Sequence, residues 1–420
     1  MSIKDHSKCH FSLDNNKKEF SSLLKLIIFS FIFLTFNFQA ENSYSMDLRG
    51  FVELEGRLFA NPAIHPNQEN NSVSGALAPE FLFEFENNSK LYFSPFFRLD
   101  SVDEERTHFD LRELDLLIPK GDWEFRLGVR KVFWGVIETR HLVDIINQTD
   151  LVDSPDRERK LGQPMVNVSL IKDWGILDFF VMPYFRERTF QGEYGRLRPS
   201  IIIDTDKTQF ESAAEQWHTD FALRYFNTFD KLDVGLSYFV GTNREPTFNV
   251  QLSDNRRPIL VPFYETITQT GMDILFVTGN WIWKSESLIR TGLEAGDYWS
   301  SAFGLEYTFA GILGTGVDFG VLTEWLYDDR NDKATTPFEN DISLALRIAA
   351  NDVDDKTALI GVIQDIETEA RFFFIEASQR FGEHWRLSLE FRSIMDQEKG
   401  DLLFDLRQDD FLQAALAYHF

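Results

Sequence analysis

Few residues in this chain have the types and spacing of a catalytic centre. Of eight histidines, His6 and His10 lie in the first forty residues, and His65, His108, His141, His218, His384 and His419 are scattered. None shows the HExxH arrangement that places two imidazoles on one zinc ion. No Gly-x-Ser-x-Gly elbow and no phosphate-binding loop is present. The acid run Asp352, Asp354, Asp355 does not match the calcium-loop spacing of an EF-hand and reads as a solvated turn. These absences predict a protein that is not an enzyme and uses no metal or cofactor. The remaining chemistry lies in charged residues that alternate with apolar ones, so the argument turns to the elements that carry them.

That alternation has a period of two. In 47–59, Leu48, Val52, Leu54 and Leu58 alternate with Arg49, Glu53, Glu55 and Arg57. Trp123, Phe125, Leu127 and Val129 alternate with Glu124, Arg126 and Arg130, and Trp385, Leu387, Leu389 and Phe391 with Arg386, Glu390 and Arg392. Side chains two apart share one face of a strand, so each segment has an apolar face and a charged face. Counted along the chain, the pattern predicts about 18 strands, with 16 possible, and no clear amphipathic helix. The strand near 107–118 changes phase near Glu113, where a bulge is expected. The strand near 270–279 is weakly patterned.

Composition narrows what such strands can build. The formal net charge is −25, which excludes the basic footprint of a nucleic-acid binder. Lys17, Lys18 and Lys25 precede an apolar run from Leu26 to Phe38, too short for the roughly 20 residues of a spanning helix and suited to a secretory signal. Residues 1–40 are therefore expected to be a cleaved signal peptide, with cleavage as late as 45, and residues 46–420 a single domain. The only cysteine, Cys9, precedes the apolar run, so the exported chain would have no disulfide and no thiolate metal site. Its charge would be 37 − 64 = −27, after loss of five Lys and three acids.

The connections alternate as well. Short links such as Asn87-Asn88-Ser89 and Pro119-Lys120-Gly121 follow even-numbered strands, and long polar segments, 60–78, 132–163, 186–215, 241–269 and 394–409, follow odd ones. This predicts an all-β fold, a transmembrane antiparallel β-barrel with short periplasmic turns and long extracellular loops. The apolar face meets outer-membrane lipid, and Trp217, Tyr225, Trp299, Tyr307, Trp325 and Tyr327 are placed near strand ends as interfacial girdles. A trimer interface and a lipid face are both apolar, so a homo-oligomer is compatible with the pattern.

So many inward charges require a wet or mutually paired interior. Arg126 and Arg130 belong to that set. The 132–163 segment, longer than ordinary connections, is expected to fold inward as a constriction. Its Val143, Ile145, Ile146 and Leu151 would pack on the inner wall while Asp144, Asp150, Asp153 and Asp156 face the passage with Arg140. An extracellular cap is the alternative. Arg186, Arg188, Arg196 and Arg198 of the next long segment form a basic counterpart, which would set a transverse field.

Two resemblances add to this reading. The last strand, Phe411 to Phe420, with Leu412, Leu416, Tyr418 and Phe420 on one face, resembles the C-terminal assembly signal of outer-membrane barrels. The resemblance implies that Tyr418 and Phe420 are read by the barrel-assembly machinery. The stretch Gly128-Val-Arg-Lys-Val-Phe-Trp-Gly135, followed by Asp144-Ile-Ile-Asn-Gln-Thr-Asp150, resembles a segment of porin-like proteobacterial barrels, including the alginate-export type; Asn147-Gln148 stands where those have a proline. It implies a Gram-negative outer-membrane barrel of the porin-like superfamily. The expected role is a channel passing small polar or charged solutes through a charged lumen. Alternatives are a specific exporter or importer of a larger or more apolar compound, and a closed barrel acting through its loops.

Overall fold

The computed structural model describes residues 44–420. The expected signal segment and Cys9 lie outside the described residues. Eighteen strands form one sheet. In chain order, seven come first: β1 (Tyr44–Phe59), β2 (Asn71–Phe85), β3 (Lys90–Asp100), β4 (His108–Lys120), β5 (Trp123–Arg130), β6 (Gln163–Lys172) and β7 (Gly175–Met182). A short β8 (Gln209–Phe210) stands outside the main sheet, which resumes with β9 (Asp220–Phe229) and β10 (Leu232–Thr242). Two further outlying strands, β11 (Thr247–Leu252) and β12 (Pro258–Tyr264), pair with each other, and β12 with β8. The main sheet ends with β13 (Thr266–Thr278), β14 (Trp281–Thr291), β15 (Tyr298–Phe309), β16 (Asp318–Asp328), β17 (Asn340–Ala349), β18 (Thr357–Asp365), β19 (Arg371–Phe381), β20 (Trp385–Met395) and β21 (Phe411–His419).

Each barrel strand pairs antiparallel with the next, and β1 pairs with β21 to close the ring, with Phe51 opposite His419. The seam is extended by reciprocal backbone bonds between Gly50 and Phe420, at 3.1 and 3.0 Å. Closure leaves no unpaired edge, which backbone groups in hydrocarbon require. The phase change near Glu113 is a bulge. Ser94 faces Glu113 but Pro95 faces Leu111, which leaves Arg112 as the extra residue. Pro95 has no N–H to offer there.

Two strands differ from their sequence expectation. β2 starts at Asn71, eight residues earlier than expected, because its inward positions are the small Ser74, Ala76 and Ala78, which blur the alternation. β13 is weakly patterned because its inner face mixes Gln269 and Asp273 with Ile267, which packs on a lumenal loop. The β8–β11–β12 sheet, built within two of the long connections, was not anticipated.

The outer face carries Leu48, Leu54, Phe125, Leu236, Phe303, Leu344 and Leu416, all exposed. Aromatic pairs ring both ends. Trp281 lies 4.5 Å from Tyr307, and Trp385 5.0 Å from Tyr418, at the short-turn end, where Trp174 also stacks on Tyr225 at 6.2 Å. Trp299 and Tyr327 meet at 5.3 Å at the long-loop end. Trp217 stands apart, in a loop against Tyr184.

Candidate functional site

The connection between β5 and β6, residues 131–162, runs inside the barrel. Its apolar residues hold it there. Trp134, Val143, Ile145 and Ile146 form one buried cluster with Met165, Phe180, Ala222, Phe239 and Ile267 of the inner wall. Ile137 and Leu142 form a second with Leu288, Tyr298, Ala302 and Leu326. Burying a side chain of this size contributes roughly 1.5–3 kcal/mol, so the pair of clusters favours docking strongly.

Wall carboxylates latch the loop backbone. Glu286 of β14, fully buried, accepts from Val136 N (2.6 Å), Ile137 N (2.8 Å) and Val143 N (3.1 Å). Glu324 of β16 accepts from Glu138 N and Thr139 N, both at 2.8 Å. Gly135, at φ +122°, leaves room for this, since a Cβ there would meet Glu286 Oε1 at 2.7 Å. Asn147 ties the neck of the loop. It accepts from Val132 N and donates to the Arg130 and Leu161 carbonyls, each at 2.8 Å. Gln148 accepts from Arg188 Nε at 3.1 Å.

The second half of the loop docks through ion pairs on β1–β4. Asp153 pairs with Arg98 (2.7 Å), Arg112 (3.4 Å) and Arg159 (2.6 Å); Asp150 pairs with Arg112 at 2.7 Å. Glu55 binds Arg98 at 3.0 Å and Arg106 at 2.7 Å. Six arginines (57, 98, 106, 112, 159, 186) meet six acids (Glu53, Glu55, Asp100, Asp110, Asp150, Asp153), so no net charge is left over. Burial would push the Asp153 carboxyl up, but Arg159, Arg98 and Arg112 hold it well below the usual range.

The sequence-predicted site residues therefore divide. Asp150 and Asp153 do not face the passage, because the arginines of the wall and the loop draw them into the interior. Asp144 lines the cavity but is neutralised by Lys160 at 3.2 Å. Asp156 lines it and reaches Arg392 at 3.5 Å. Arg126 pairs with Asp115 at 2.6 Å, and Arg130 donates to Asn167 at 2.6 Å, both on the β4–β6 wall. The expected basic counterpart is mostly used elsewhere. Arg186 binds Asp110 at 2.7 Å, Arg196 binds Asp409 at 2.7 Å and packs on Phe59, and Arg198 donates to the Glu193 and Pro199 carbonyls. Of that group only Arg188 reaches the cavity, with Arg140.

A cavity of about 630 Å³ remains between the loop and the opposite wall. Leu322, Ala345, Leu359, Ile363 and Phe374 of β16–β19 form its apolar side. Phe338 packs against both this cluster and the Tyr298–Leu326 cluster, which makes one continuous apolar stripe. Arg392 lies over Phe374 at one end, with Glu376 at 2.6 Å and Glu390 at 2.8 Å. Arg330 lies over Tyr298, 3.6 Å from the ring centroid, beside the cavity but outside its lining.

Close by, Arg140, Arg157, Arg188, Arg290 and Arg330 face Glu245 and Asp328, with Asp341 also within reach of Arg140, leaving 5 − 3 = +2. Burial would raise the Glu245 carboxyl, but Arg290, Arg140, Arg188 and Arg330 hold it well below its ordinary value. Burial and the adjacent Arg188 and Arg140, against Glu245, bring Arg157 down to about 10, still charged at neutral pH. Sequence reasoning missed Glu245, Arg330 and the apolar stripe as a continuous feature. Arg290 was legible as an inward position, but nothing local tied it to residues 157 and 245.

An antiparallel barrel of eighteen strands, apolar outside, aromatic at both ends and threaded by a docked inner loop, has the architecture of a transmembrane β-barrel of the outer-membrane type. Among solved structures it is similar to OmpT, an outer membrane protein of Vibrio cholerae in trimer form, at 9% identity and a TM-score of 0.47, over 90% of this chain and 100% of that one. A mutant of the Rh. blastica porin aligns at 10% identity and a TM-score of 0.43, over 90% and 100%. At this level the likeness bears on neither substrate nor residue roles. No family model and no curated protein matches the chain.

Proposed function

We propose that this protein is a solute channel of the outer membrane, confined by the inward 131–162 loop to the space along the β16–β21 wall. The observation that supports it is the 630 Å³ cavity left open after the loop has docked. A loop serving as an extracellular cap would leave its apolar residues without the inner-wall partners that bury them here. Lipid surrounds the apolar outer face, the N-terminal segment serves as the export signal, and the strand ending in Tyr418 and Phe420 is presented to the assembly machinery. The role is transport rather than catalysis. The expectation of small polar or charged solutes is widened towards partly apolar ones, because one side of the cavity is apolar.

Single-channel recording of the folded barrel in a planar bilayer tests this reading. Discrete conductance steps are expected. With no cysteine among the described residues, Leu359→Cys offers a single thiol on the cavity wall, and a bulky thiol reagent should reduce the step size. A folded barrel that never conducts would sink the channel reading.

A further inference from the structure

The guanidinium groups at one end of the cavity are short of partners in a chain that is acidic overall. Arg157 makes no side-chain hydrogen bond or ion pair among the described residues, and its backbone is held at φ +71°, the left-handed region that costs a non-glycine residue about 1 kcal/mol. Among the described residues the Arg188 side chain has only the neutral Gln148 amide oxygen as acceptor. Arg140 reaches Asp328 at 3.6 Å, but that carboxylate is already taken by Arg330 at 2.7 and 2.8 Å, and Arg140 Nη1 is buried without a partner. In the ion-pair cluster on β1–β4, by contrast, arginine and carboxylate are matched six to six. This local excess of positive charge thus coincides with unused donors, in a space large enough for a small molecule. Planar guanidinium forks of this kind suit carboxylate, phosphate or sulfate oxygens.

The apolar stripe starts beside this cluster, at Tyr298 under Arg330, and runs by way of Phe338 to Phe374. Building on the channel reading, we infer that the cavity is a binding site for small amphipathic organic anions. The charged group sits among Arg140, Arg157 and Arg188, and the hydrocarbon part lies on the Phe338–Ile363–Phe374 stripe. The Glu376 and Glu390 pair around Arg392, at the far end, disfavours a second negative charge there, so the favoured solutes carry their anionic group at one end only.

The test uses the folded barrel in a bilayer, with hexanoate, acetate and hexylammonium as probes of the open-channel current. Hexanoate should block at concentrations about 10-fold or more below acetate, since its four extra methylenes lie on the stripe, and hexylammonium should block no better than acetate. Arg157→Asn, chosen because Asn tolerates the left-handed backbone, combined with Arg188→Gln should weaken hexanoate block about 10-fold or more. Phe374→Ala should weaken hexanoate and leave acetate unchanged. Equal block by hexanoate and hexylammonium, or an unaltered response in the double variant, would overturn the anion site while leaving the channel reading intact. If no current is seen, the channel reading falls, and titration calorimetry of hexanoate into the detergent-solubilised barrel and its double variant decides the site by itself. Unchanged heat-modifiable migration on a gel confirms that each variant is folded.

Discussion

Replacing Glu286 with alanine should free the first half of the lumenal loop without dissolving the barrel. One buried carboxylate holds three loop amides at 2.6, 2.8 and 3.1 Å. Hydrogen bonds to a charged group contribute roughly 1.5–3 kcal/mol each. Taking the low end, three give about 4.5 kcal/mol, or roughly 1,000-fold in the opening equilibrium at about 1.4 kcal/mol per decade. The β14 backbone ladder does not use this side chain and should be unaffected. Hydrogen exchange of the detergent-solubilised barrel is the assay. The amides of Val136, Ile137 and Val143 should exchange about 1,000-fold faster in Glu286→Ala. Glu286→Gln should fall between, since Val136 and Ile137 share Oε1 while Val143 uses Oε2, so an amide keeps two acceptor contacts and sets N–H against N–H at the third. Gly135→Ala should act in the same direction by pushing the carboxylate away. Unchanged exchange over 136–143 in Glu286→Ala would refute the latch.

Other perturbations give distinct readouts. Asp153→Asn leaves Arg98, Arg112 and Arg159 facing a neutral amide, and should destabilise the folded barrel by about 3–5 kcal/mol, measured as a lowered denaturation midpoint. Because the Asp153 carboxyl is held below its ordinary value of 3.8, its contribution is present above that pH and lost only as the pH falls further; acid titration of wild type against Asp153→Asn checks the window. Burial lowers His141, but its hydrogen bond and charge contact with Glu158, with Glu286 and Asp144 nearby, raise it overall above 6.5. Its contribution should therefore be full below pH 6.5 and fade as the pH rises through the raised value; NMR titration of His141, with Glu158→Gln expected to lower it, tests this. Gly128→Ala places a methyl group 1.8 Å from the Leu114 carbonyl at a φ of +140°, and should sharply reduce the refolded fraction seen by heat-modifiable migration.

What the sequence makes legible follows from range. A strand's facing is written in every second residue, so the eighteen strands, the girdles and the bulge beside Glu113 can be read locally. The mixed apolar character of 143–151 already marks the loop as one that packs. Its anchors are invisible, because Glu286 and Ile137 lie 149 residues apart and nothing in either neighbourhood mentions the other. Asp150 and Asp153 look like passage-facing acids until the arginines of β3 and β4 are brought against them. In β18, Leu359 and Ile363 face inward while Ile360 and Val362 face outward, so alternation carries no contrast and the apolar stripe stays hidden. The three-stranded accessory sheet combines segments from two separate connections and leaves no periodic trace in either.

The seam between β1 and β21 has a kinetic consequence. It joins Phe51 to His419, contacts separated by nearly the whole described chain. Until both partners are available the sheet has two bare edges, each a template for pairing with another molecule. Loop-closure entropy must be met before that last ladder contributes anything, so unaided closure is slow and competes with aggregation. Shortening the route between these two strands, by a circular permutation that links 420 to 44 and opens one of the short turns, should convert the slowest contact into a local hairpin and speed spontaneous refolding in detergent.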